Sequence, residues 1–267
     1  MLRNVFVKNL RDQRKAMFWW VLGLLILVMY LIWFYPGFRD RGAFVNEYIQ
    51  QLPPALRATF MGELTDFTSP EGYLNTEMFF FTMPMLLLIF TIGFGSAAIA
   101  GEEERGTLDL LLANPIPRWR VVLEKWAALL VLSGALVGVV WLGVLASVQF
   151  VELEINFAYL AQAFVSLWLL SLTFGTLALA LGSIRGRRGL SAGVTSALAV
   201  AAYFLNSLAP LTDTLKPYRK LSLFYYYIGA DPLSNGLDVG HAAVLVGVTV
   251  MLAVVALVAF HWRDVGV

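Results

Sequence analysis

Few residues of this chain have the types and spacing for chemistry, and most lie in one stretch, Gly101-Glu102-Glu103-Glu104-Arg105-Gly106-Thr107-Leu108-Asp109-Leu110-Leu111-Leu112-Ala113-Asn114-Pro115-Ile116-Pro117-Arg118. Glu102, Glu103 and Glu104 would suit a hard cation if they converged, but consecutive side chains on a helix point in different directions. They read instead as a solvated acidic cluster facing a partner. Thr107 then has the type of an N-cap, and Asp109 falls in a first turn, where the helix dipole favours a carboxylate. Leu108, Leu111 and Leu112 share one face, and Pro115 with Pro117 bars further helix. So short a helix is unstable alone, and its leucine face is expected to dock against something.

Other chemistry is sparse. The two histidines, His241 and His261, fall at opposite ends of one apolar segment and cannot share a metal within one chain. The chain has no cysteine, which excludes disulfides, thiolate metal sites and a cysteine nucleophile. It contains no Gly-x-x-x-x-Gly-Lys-[Ser/Thr] loop, no Gly-x-Ser-x-Gly elbow and no His-Glu-x-x-His helix. No catalytic, cofactor-binding or metal residue is therefore expected, nor a nucleic-acid partner, and any coupled ATP hydrolysis must come from another polypeptide.

The elements that position the Glu-rich stretch are membrane spans. Of 267 residues, 59% are hydrophobic and 14% charged, and mean hydropathy is +0.74, far from the roughly 25% charged residues of a soluble domain. About 20 apolar residues cross a bilayer. Six segments qualify, Met17–Tyr35, Met78–Ala100, Trp126–Phe150, Phe157–Ile184, Leu190–Leu211 and Val239–Trp262. The expected architecture is all-α and integral to the membrane, one transmembrane domain over residues 1–267. The first span is expected to stay in the mature protein, because its charged flank is long and no small-residue cleavage site follows. With six spans, 13 Lys and Arg fall on the side of the termini and 6 on the other. The positive-inside rule then makes both termini, the Glu-rich loop and Arg185–Arg188 cytoplasmic.

Residues 1–16 form a second amphipathic element. Leu2, Val5, Phe6, Leu10, Gln13 and Met17 share one face of a helical wheel, with Arg3, Lys8, Arg11, Arg14 and Lys15 opposite. That separation suits a helix lying in the interface against lipid headgroups, while the plainer reading is a positive flank that sets topology. Outside, Pro36–Glu77 is expected to hold a short helix around Phe44–Leu52, stopped by Pro53-Pro54. The other outer loop carries Phe224, Tyr225, Tyr226 and Tyr227, which read either as an aromatic belt or as a partly re-entrant outer gate. Small residues recur every four positions at Gly93/Ala97/Gly101, Gly134/Gly138 and Gly189/Gly193/Ala197/Ala201, a pattern of close helix packing within or between subunits. The spans carry almost no charge at depth, which argues against proton- or ion-coupled transport. Their polarity is limited to groups such as Ser133, Ser166, Ser171, Thr173, Thr176, Thr195, Ser196 and Asn206, a lining suited to amphiphilic or apolar cargo.

A span, an acidic cluster, Gly106-Thr107, a leucine-rich turn, Pro115 and Arg118 together resemble the cytoplasmic coupling region of type-2 ABC exporter permeases. The resemblance extends over the whole chain in topology but is specific only around residues 101–118, with weaker support from Phe224–Leu233. It implies a cytoplasmic coupling helix between spans 2 and 3, a connecting helix at the N-terminus, and two permease subunits paired, as a homodimer, with two copies of a separate ABC ATPase. ATP and Mg would bind on that partner, not on this chain, which would itself be no enzyme. Glu102, Glu103, Glu104, Gly106, Thr107, Leu108, Leu111, Leu112, Pro115 and Arg118 would couple to the ATPase, the glutamates and Arg118 by charge and the leucines by seating in a groove. The location implied is a bacterial or archaeal inner membrane. A second reading is an ATPase-linked complex that transmits force to an outside partner without transport.

Overall fold

The computed structural model describes residues 5–60, 69–113, 116–151 and 153–263. Arg3 and Pro115 lie outside the described residues, as does the side chain of Leu112. No strand occurs among the described residues, and six helices are long and apolar enough to cross a membrane. In chain order the helices are α1 (Val5–Asp40), α2 (Gly42–Gln51), α3 (Pro54–Phe60), α4 (Pro70–Leu74), α5 (Thr82–Ala98), α6 (Ala100–Glu104), α7 (Thr107–Leu112), α8 (Arg118–Val148), α9 (Phe157–Arg185), α10 (Arg188–Leu208), α11 (Leu223–Ile228), α12 (Pro232–Asn235) and α13 (Val239–Trp262). A π-helical turn, Asn75–Phe80, joins α4 to α5. Pro84 lies just beyond it and cannot donate to the carbonyl of Phe80, so the hydrogen-bond register slips there.

The expected interfacial helix is not a separate element. α1 is continuous over 36 residues, about 54 Å at 1.5 Å per residue, against roughly 30 Å of hydrocarbon. The segment Arg11–Met17 consists of Arg, Asp, Gln, Lys, Ala and Met with no glycine or proline, so nothing local stops the helix. Its first turns pack Val5, Phe6 and Leu10 onto the bundle's own core. Arg11, Arg14 and Lys15 are exposed.

The bundle is organised around α9, which packs on α5, α8, α10 and α13. An apolar sequence on every side of α9 allows burial on every side. Its closest approach is to α5. A Cβ placed on Gly95 would lie 2.1 Å from the carbonyl oxygen of Gly175, and one on Gly175 would lie 2.9 Å from Cβ of Thr91. This pair lies outside the small-residue stripes read from the sequence. Of those stripes, a Cβ on Gly134 would lie 3.5 Å from the Trp168 indole, whereas one on Gly93, Gly138, Gly189 or Gly193 would meet nothing within 4 Å.

The mid-span hydroxyls face inward too. Ser133, Ser166, Ser171, Thr173, Thr176 and Thr195 are essentially fully buried. Trp126 Nε1 donates to Thr176 Oγ1 at 3.1 Å, Trp168 Nε1 to Ser133 Oγ at 3.0 Å, and Thr173 and Thr249 share a hydroxyl bond of 2.8 Å. A hydroxyl without water must find a partner, and for all of these but Thr195 the partners are neighbouring helices or the carbonyl one turn back. They hold helices and turns together within one chain; of the mid-span polar groups read from the sequence, only Ser196 is exposed.

At the end opposite Glu102–Glu104, the expected helix after Phe44 is α2, ended at Leu52, and Pro54 opens α3 instead of closing the segment, since proline is favoured at a first helical position. Tyr203 on α10 donates its hydroxyl to the carbonyl of Thr59 and so pins α3.

Candidate functional site

The Glu-rich stretch lies between two reversals. α5 breaks at Ile99, whose carbonyl accepts from the N–H groups of both Glu102 and Glu103 at 3.0 Å. The chain then turns at Gly106, whose φ of +66° suits a residue without a Cβ. Gly106, not Thr107, occupies the N-cap of α7. The Thr107 hydroxyl instead donates back to the carbonyl of Glu102 at 3.1 Å, tying α7 to the end of α6.

The leucine face is also used internally. Leu108 and Leu111 are 1% and 2% exposed and belong to the bundle's own core, so they cannot seat in a partner's groove. The physical reason is the one that suggested docking: a helix of six residues needs its apolar face covered. The chain covers it itself.

Of the three glutamates only Glu104 is exposed. Each is held by a different element. Glu102 is 7% exposed; its Oε1 lies 3.0 Å from Nζ of the fully buried Lys125 on α8 and 3.6 Å from Nζ of Lys8 on α1. Glu103 pairs with Arg263, just beyond α13. Glu104 accepts from the backbone N–H of Arg188 at 2.7 Å, at the start of α10, where the helix dipole favours a carboxylate. Arg118 donates to the carbonyl of Arg263 at 2.6 Å, and Arg263 donates to that of Ser183 on α9 at 3.3 Å. Glu124 on α8 accepts from the N–H of Phe6 at 3.0 Å and from Arg120 at 2.7 Å, and so caps α1.

The three carboxylates and their partners thus form a clasp gathering α1, α6, α8, α10 and the end of α13. Sequence reasoning counted Lys125, Arg188 and Arg263 only toward topology. The available signal was their position, each beside a span terminus and therefore at the depth of the glutamates. The surface left exposed at this end carries Glu104, Arg105, Asp109, Trp119, Arg120, Arg185 and Arg187.

The four aromatic residues at the other end divide into two roles. Phe224 and Tyr227 are 1% and 2% exposed. Phe224 packs its ring near Phe174 and Tyr203, and Tyr227 donates its hydroxyl to the carbonyl of Phe79 at 2.7 Å. Both anchor α11 against the bundle. Tyr225 and Tyr226 are half-buried and flank His241, with ring centroids 5.0 and 5.3 Å away.

The family model described as ABC-2 family transporter protein matches residues 3–265 of the chain. No curated protein matches it.

Proposed function

The chain belongs to the ABC-2 family of transporter proteins and is a permease component of an ABC transporter; from that premise we propose that it is the membrane subunit of an ATP-driven exporter, working as a dimer driven by separate ATPase subunits. The observation that carries the coupling reading is the clasp. A push on α7 reaches α5 through α6, α8 through Glu102–Lys125, α10 through Glu104 and α13 through Glu103–Arg263. A short surface helix tied to four spans moves them together, as a coupling element must. The dimer reading is supported by α10, whose Gly189, Gly193, Ala197 and Ala201 are all exposed on the single chain.

The partner surface is then the exposed rim rather than the leucine face. Asp109→Lys is expected to weaken capture of the cognate ATPase by tenfold or more, equivalent to about 1.4 kcal/mol of charge repulsion, with no loss of permease monodispersity. Leu111→Asp buries a carboxylate in the chain's own core and lowers the stability of the permease itself. Pull-down beside size-exclusion profiles separates the two, and full ATPase capture by Asp109→Lys would place the contact elsewhere.

Both termini and the clasp are proposed to be cytoplasmic, on the strength of the 13-to-6 distribution of Lys and Arg. The cysteine-free chain allows a clean test. Arg187→Cys and Asp213→Cys both occupy exposed positions. In intact cells a membrane-impermeant thiol reagent should label Asp213→Cys, and Arg187→Cys only after permeabilisation; the reverse pattern inverts the orientation.

A further inference from the structure

Beside the clasp lies a polar cavity of about 420 Å³ between the first turns of α1, the end of α5, and α6 to α8. Its charged lining is Lys8, Arg105 and Lys125 against Asp12 and Glu102, one positive charge in excess. One buried group points to an absent anion. Lys125 is fully buried, and among the described residues its only close counter-charge is Glu102, whose Oε1 lies 3.0 Å from Nζ and leaves the ammonium's other donors unused. A buried ammonium with unused donors is costly unless something accepts from it. Arg105 is exposed and forms no ion pair among the described residues.

The cavity has an apolar side. Phe94, Ala97 and Ala98 on α5 form part of its wall. Further along the same two helices, Trp19, Trp20, Gly23, Leu24, Leu27 and Leu86 line an apolar groove of about 390 Å³. α1 leans on α8 rather than on α5. The Trp20 and Phe90 rings meet across it at 5.7 Å, and a Cβ on Gly23 would meet nothing within 4 Å. Charged head site and apolar groove therefore follow each other along the α1/α5 seam. Lys125 immediately precedes the apolar run that starts at Trp126, so the head site falls at headgroup level.

We infer that this seam binds an anionic phospholipid of the adjacent leaflet, its phosphodiester held by Lys8, Arg105 and Lys125 and one acyl chain lying along the Trp19–Leu27 groove. The single negative charge of a phosphodiester balances the lining, and its oxygens accept from the unused Lys125 donors. A soluble phosphate would use the head site alone and leave the groove irrelevant.

The test uses the full chain reconstituted in vesicles of phosphatidylcholine containing phosphatidylglycerol, re-extracted in mild detergent, with retained lipid read by native mass spectrometry. One phosphatidylglycerol per chain is expected for the wild type. Retention should fall tenfold or more in Lys8→Gln/Arg105→Gln, in Arg105→Gln alone if the double variant is not monodisperse, and in Gly23→Leu, which fills the groove without touching a charge. Lys216→Gln/Lys220→Gln, at the far end, should retain lipid as the wild type does. Equal retention in all variants, or equal loss in the far-end variant, overturns the site. Unchanged retention in Gly23→Leu together with displacement of the lipid by inorganic phosphate reassigns the cavity to a soluble anion and overturns the lipid. Lipid retention is read without any ATPase, so its failure leaves the coupling proposal standing.

Discussion

Glu102→Leu lowers the stability of the chain by about 3–5 kcal/mol, the cost of leaving a buried charge without its counter-ion. The charge is Lys125, which is fully buried, and the carboxylate 3.0 Å away is its principal partner. Lys125→Leu has a similar cost, because Glu102 is itself 7% exposed and keeps only the more distant Lys8 at 3.6 Å. The informative variant is the double, Glu102→Leu/Lys125→Leu. Replacing a buried pair by apolar side chains of similar size is commonly neutral or stabilising, so the double variant should be markedly more stable than either single one. Thermal unfolding of the four proteins in one detergent gives the coupling energy. Glu104→Gln is the control, since an exposed carboxylate contributes about 1 kcal/mol or less. A double variant as unstable as the sum of the singles would mean that the two charges do not act as a pair.

Gly95→Ala is expected to be the most damaging single methyl group in the spans. The added Cβ would fall 2.1 Å from the carbonyl oxygen of Gly175 and 3.2 Å from the backbone nitrogen of Leu179. Neither neighbour is a flexible side chain, so α5 and α9 must separate along their contact, and overpacking of this kind costs about 1–3 kcal/mol or more. Gly93→Ala, two residues away on the same helix, meets open space and should change stability by no more than about 0.5 kcal/mol. Melting temperature and monodispersity of the two variants decide the matter. Equal behaviour would show that the α5/α9 approach is looser than the structure has it.

The contrast between Gly93 and Gly95 shows where sequence reading stops. Gly93, Ala97 and Gly101 keep a four-residue spacing of glycine and alanine, whereas Gly95 at the helix crossing has only Thr91 at that spacing and no further small residue at position 99. It is set by where α9 happens to cross α5. The candidate site divides in the same way. Glu102–Glu104, Gly106, Thr107 and the leucines were legible as one functional element from residue type alone. Their partners were not, because Lys125, Arg188 and Arg263 lie 23, 84 and 160 residues away from them and no local spacing connects them. The N-terminal segment differs: its amphipathic pattern was legible, but that its apolar residues Val5, Phe6 and Leu10 pack on the bundle's core was not.

What the sequence determined by itself was the set of spans. Val239–Trp262 agrees at both ends with α13, and Phe157–Ile184 stops one residue short of the end of α9. A membrane helix satisfies all its backbone hydrogen bonds internally, so apolar length and the flanking Asn156, Gly186 and Asp238 suffice to define it. What only the tertiary structure decided was which face of each helix meets which neighbour. α9 is apolar all round, so no periodicity marks a contact face, and lipid is as apolar as leucine, so hydrophobicity does not rank one pairing above another. Helix contacts are then chosen by shape at Gly95 and Gly175, by hydroxyl pairs such as Thr173 and Thr249, and by the ion pairs that close around Glu102 and Glu103. Each of these is a property of two segments brought together, and neither segment carries it alone.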